Sequence, residues 1–138
     1  MDRNTPYRDG ELNPVPVAAN TEIFGGHIVA VNAQGYAIPA TATAGQITLG
    51  ISDGWVDNSA GGDGDAIVLF RRGKMFLMAN STTDAVTQDA IGQNCFVENS
   101  VTVTKTNGAA PEGDGSDARP YAGKVAGLED GGVWVYFS

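Results

Sequence analysis

The sequence predicts an all-β fold, a compact β-sandwich or small β-barrel with an extended N-terminal arm. Two observations carry this expectation. Short runs of Val, Ile and Thr recur along the chain and are broken every eight to twelve residues by Gly, Asn or Asp. Nineteen glycines and six prolines among 138 residues oppose long helices. That length suits one domain with a sizeable core.

Residues 1–21 read as the arm, mobile in the free protein, because Pro6, Pro14 and Pro16 forbid a helix and charged residues leave little to bury. Pro6, Tyr7, Leu12, Pro14, Val15 and Val17 are its candidate anchors to a partner. Pro14 and Pro16 lie two apart, so their missing N–H groups fall on one side. Val15 and Val17 then donate toward the other, as strand addition to a partner's sheet edge requires.

A single β-rich domain is expected over residues 22–138. His27–Val31 and Tyr36–Pro39 form a first hairpin around Asn32–Gly35. Gln46–Val56 supplies a further strand, and the acidic glycine-rich loop Asn58–Asp65 follows. The next segment, Ala66–Ala79, places two apolar runs on either side of Arg71-Arg72-Gly73-Lys74. It predicts a central β-hairpin with Gly73 in the left-handed conformation. Both faces of that hairpin are apolar, so both need cover, from the core and from a neighbouring subunit. Arg71, Arg72 and Lys74 at its tip are candidate contacts to acidic groups of another subunit or of a partner.

Thr82–Gly92 holds the one helical candidate, a single turn capped by Thr87 and closed by Gly92. Strands at Cys95–Val97 and Val101–Thr104 precede an exposed loop at 107–117. Tyr121–Leu128 and Val133–Phe137 form a last hairpin.

Charge and chemistry narrow the function. A net charge of −8 opposes nucleic-acid binding, which needs clustered Lys and Arg. No apolar run approaches the length of a membrane span, and no signal peptide is expected ahead of the domain. The single Cys95 cannot form an internal disulfide and reads as a buried inert thiol. The expectation is a soluble protein made in a reducing cytoplasm. His27 is the only histidine, which leaves neither a Ser–His pair with evident support nor a histidine metal site. The loops at 61–65 and 112–117 resemble calcium loops. Counted from Asp63 the fifth ligand position is Ile67, and counted from Asp114 it is Ala118, so both fail. Asp63 and Asp65 on a solvated loop lack the surroundings that tune a catalytic carboxylate. Trp55, Trp134, Tyr36 and Tyr136 could stack a sugar or serve as rim residues. No catalytic residue, metal ligand or cofactor is assigned, and the reading is not an enzyme.

Several motifs follow one another along the chain: Val31-Asn32-Ala33-Gln34-Gly35-Tyr36-Ala37, Leu49-Gly50-Ile51-Ser52-Asp53-Gly54, the Gly/Asp loop, and Val68-Leu69-Phe70-Arg71-Arg72-Gly73. Their order resembles that of tailed-bacteriophage capsid decoration, or cement, proteins. The ending Arg119-Pro120-Tyr121-Ala122-Gly123-Lys124-Val125, followed by Gly132-Val133-Trp134-Val135, is similar to one branch of that group. A thinner likeness extends to the head-stabilising protein of lambda-like phages, from which the longer C-terminal hairpin and the 107–117 insertion depart. The resemblance covers most of residues 23–137. It implies a β-tulip or barrel-like homotrimer on the outer capsid surface, bound to the major capsid protein and clamping neighbouring capsomers, with the arm ordered on the shell. Other phage structural roles (head fibre or tail tube) and a carbohydrate-binding β-module are the alternatives.

Overall fold

A computed structural model describes residues 3–5, 10–108 and 118–138. Its strands are β1 (Leu12–Pro16), β2 (Thr21–Ile23), β3 (Ile28–Val31), β4 (Ala37–Pro39), β5 (Ile47–Ser52), β6 (Val56–Asn58), β7 (Ile67–Arg71), β8 (Lys74–Asn80), β9 (Asn94–Asn99), β10 (Thr102–Thr104), β11 (Tyr121–Glu129) and β12 (Gly132–Phe137). The chain is nearly all β, as its glycine-punctuated runs of β-branched residues require.

Five strands form one sheet in the order β1-β7-β5-β3-β4. The chain just beyond β1 returns to the far side of this sheet. There Val17 bridges Ala37 of β4, and the Ala18 N–H donates to the Ala37 carbonyl at 3.0 Å. The sheet therefore curls around Val15, Val17, Ile23, Val29, Ala37, Val68 and Phe70, and the β2–β6 ribbon supplies Ile23 to that core. The other five strands close into a small barrel, β10-β8-β12-β11-β9. Val97, Val103, Val125, Val133, Val135 and Phe137 fill it, and Ile28, Ala30, Ala40 and Ile51 of the first sheet pack into the same cluster. This second cluster, distinct from the core inside the curled sheet, joins the two sheets.

The first and last hairpins stand where the sequence places them, as β3–β4 and β11–β12. At the last turn Asp130 and Gly131 both take positive φ, 45° and 83°, the geometry that matches strand twist in a two-residue turn. The helical candidate is a single 3₁₀ turn, Gln88–Ala90. Thr87 holds the capping position without capping, because its hydroxyl turns to the Asp89 carboxylate instead.

The central hairpin is corrected. β7 and β8 do not pair: β1 and β5 take both edges of β7, while β12 and β10 take both edges of β8. The segment between them is a crossing from one sheet to the other. Gly73 is left-handed, φ 76°, but the backbone donors here turn outward. Arg72 N–H donates to the Glu11 carbonyl at 2.9 Å and Gly73 N–H to the Phe137 carbonyl at 2.5 Å. With both of their donors used elsewhere, the cross-strand ladder of a hairpin cannot form.

The N-terminal arm is also redrawn. Residues 12–16 are a strand of the domain's own sheet, and Val17 donates to the Ala66 carbonyl at 2.9 Å. The Val15 and Val17 donors therefore face β7. Pro14 and Pro16, which lack an N–H, face the open edge, where strand addition needs donors. Pro6 and Tyr7 lie outside the described residues, as does most of the loop expected at 107–117.

Candidate functional site

The predicted site residues fall into different environments. Val15 and Val17, 8% and 0% exposed, are core and cannot touch a partner. Leu12, Pro14 and Pro16 lie opposite Arg71, Leu69 and Ile67 and share their face of the sheet. Arg71, Arg72 and Lys74 find partners within their own chain. Arg71 Nε meets Asp53 Oδ1 at 2.6 Å, Lys74 Nζ meets Glu11 Oε1 at 3.0 Å, and Arg72 Nε donates to the Gly10 carbonyl at 3.0 Å. These partners come from the chain just before β1 and just after β5.

Residues considered for chemistry make contacts within the fold. His27 Nδ1 and Ser100 Oγ are 2.7 Å apart and tie the first sheet to the β9–β10 turn, which the Ile28 N–H also reaches through the Ser100 carbonyl at 2.7 Å. Burial pushes the Cys95 thiol up to about 11, the state of an inert buried sulfur. In the glycine-rich loop, Asp63 Oδ1 accepts from the Ala19 N–H at 2.8 Å and Asp65 Oδ2 from the Gly62 N–H at 2.8 Å. Buried Asn58 donates to the Ala18 and Gly62 carbonyls at 2.9 and 3.0 Å. These bonds pin the loop over the turn after β1. Among the described residues no group of three or more His, Cys, Asp or Glu could hold a metal ion.

Two apolar surfaces remain, one on each sheet. On the first, Ile67 and Leu69 are 60% and 43% exposed, because at β7 this face of the sheet has passed beyond the barrel that covers it at β3 and β5. Beside them a groove of about 240 Å³ is lined by Asp53, Gly54, Trp55, Val56, Ile67 and Leu69. Trp55 is 63% exposed, and its indole N–H donates to Glu22 Oε2 at 2.6 Å, which fixes the ring at the groove wall. On the barrel, Met75 and Leu77 of β8 lie opposite Tyr136 and Trp134 of β12, all on the outward side.

The sequence announced these surfaces through the doubly apolar strands of Ala66–Ala79, whose alternate residues cannot all be core. It did not announce Phe24 and Ile47, 51% and 65% exposed, which lie at strand ends where alternation gives no guide. No family model, no curated protein and no solved structure matches the chain.

Proposed function

We propose that this chain is a structural virion subunit that binds the outer surface of a phage capsid and stabilises contacts between neighbouring capsomers. One observation carries the reading furthest: the groove beside Trp55, Ile67 and Leu69, an apolar surface on a rigid sheet with a tethered aromatic at its wall. Exposed apolar patches of this kind mark protein–protein contacts, and a fixed indole is a favourable anchor because little side-chain freedom is lost on binding. The resemblance in motif order described above is the support for taking the major capsid protein as the partner. Leu12 and Pro14 on the adjoining edge strand extend the same face and retain a place in the contact through their side chains.

The test is to mix the purified protein with undecorated heads of the phage that encodes it and to sediment the heads. Saturable co-sedimentation is expected, and Ile67→Asp on the groove should weaken it at least tenfold without changing the melting temperature by more than a few degrees. Heads that pellet without the wild-type protein would refute the reading. The exposure of the tethered Trp55 ring also suits a carbohydrate-binding module, and glycan-array binding abolished by Trp55→Ala would favour that reading instead.

A further inference from the structure

We infer that the outward face of β8, β12 and β11 is a self-complementary contact through which two copies of this chain pair about a two-fold axis. The inference stands on the barrel, not on the groove assigned to the capsid. Three rows of residues cross this face. Met75, Tyr136 and Lys124 make the first; Leu77, Trp134 and Gly127 the second; Ala79, Gly132 and Glu129 the third. Met75, Leu77 and Tyr136 are 59%, 49% and 39% exposed. Trp134 is half-buried, and its indole N–H donates to Glu129 Oε2 at 2.7 Å, which holds the ring in place across the rows. Gly127 flanks it without a side chain, and the Leu77 side chain lies over Gly132, so Leu77 and Trp134 together form one continuous apolar ridge across β8 and β12.

The charges decide the occupant. Lys124, exposed and without an ion pair among the described residues, stands at one end of the apolar strip. Glu129 and Asp130 stand at the other end, four residues along β8 by the register, or about 14 Å at strand spacing. A two-fold axis in the plane of contact, running across the strands through the Leu77–Trp134 row, exchanges the two ends. It brings Lys124 of each copy over Glu129 of the other and leaves the apolar rows face to face. An isologous contact needs only this one patch, whereas a three-fold ring needs two different complementary surfaces. The charge placement therefore selects a pair, in contrast to the three-fold assembly that the resemblance implies.

The experiment is sedimentation equilibrium of the full chain across the micromolar range. A mass twice that of the chain is expected, with Leu77→Lys weakening pairing at least tenfold and Lys124→Glu weakening it severalfold. A mixture of Lys124→Glu and Glu129→Lys chains should pair more tightly than either variant alone, since each contact regains opposite charges. Thermal melts check that the variants fold, and Met75→Asp replaces Leu77→Lys if that chain does not. A monomer at all concentrations, a three-fold mass, or pairing indifferent to these substitutions overturns the inference. Loss of head binding by Leu77→Lys with an unchanged mass of the free protein overturns it too, and assigns the face to the shell. Failure of the mass measurement leaves the head-binding result standing, so the two readings are tested apart.

Discussion

Replacing Val17 by Ala asks whether the segment after the N-terminal prolines belongs to the folded domain. Val17 is 0% exposed, lies in the core of the curled sheet, and bridges Ala37 to bring the two ends of that sheet together. The substitution removes two methyl-sized groups, each about 0.8 kcal/mol in transfer from water. The cavity left behind raises the cost to about 2–3 kcal/mol, because backbone bonds from Val17 to Ala66 and from Gly64 to Val17 hold the site open. For a domain of this size that corresponds to a fall of roughly 6–12 °C in melting temperature. Leu12→Ala, at a site 37% exposed, should change stability by less than about 0.5 kcal/mol. Urea unfolding followed by tryptophan fluorescence, with a thermal melt as a second probe, measures both. Equal midpoints for Val17→Ala and the wild type would mean that residues 12–17 are a free arm and that the β1–β7 pairing is not part of the cooperative unit.

Asn58→Ala should cost about 1–3 kcal/mol, because it strips the buried Ala18 carbonyl of its donor and removes the bond to the Gly62 carbonyl; differential scanning calorimetry reads the loss. The Cys95 thiol should resist a disulfide reagent in the native protein and react fully in denaturant. Its folded pKa is raised from 9.0 to about 11, so its contribution is intact below pH 9 and is lost as pH rises through that window; Cys95→Ala should remove this part of the alkaline slope. Asp84 is pushed up by burial, but hydrogen bonds from Thr106 and Arg119 outweigh this and hold its pKa below 3.8. Its stabilising contribution is present above that value and disappears as pH falls through the lower, folded one. Asp84→Asn should lower stability at neutral pH and flatten the acid limb of the pH–stability curve.

The parts of the fold legible in the sequence were those set by local chemistry. Asn32–Gly35 and Asp130-Gly131 demand turns whatever surrounds them, and the glycines Gly35, Gly73 and Gly131 all take the positive φ that a turn residue permits. The crossing at Arg71–Lys74 was not legible, because a turn sequence between two apolar runs fits a hairpin and a change of sheet equally well. What decides is which strands claim the edges, and β1, β5, β10 and β12 come from distant parts of the chain. β1 itself reads in the sequence as an arm that adds to a partner's sheet edge, not as a strand of the domain's own sheet. The signal was nevertheless present: Val15 and Val17 share one parity and Pro14 and Pro16 the other, the pattern of an edge strand whose donors all turn inward. Of the candidate surfaces, the doubly apolar strands pointed to the exposed rows. The partners of Arg71 and Lys74 required knowledge that Asp53 and Glu11 fold beside them.

The corner at Arg72–Gly73 joins the two sheets by a single covalent thread, and both extremities of the fold splint it. Glu11, from the start of the chain, accepts from Arg72 and pairs with Lys74; Phe137, from its end, accepts from Gly73. A load that pulls the barrel away from the curled sheet therefore does not fall on the peptide bond of the corner alone. It is shared with bonds from two remote stretches of sequence, around Glu11 and Phe137, which must yield as well before the sheets part. Tension applied to one sheet is in this way carried to the other through several bonds at once, and the corner does not act as a free hinge.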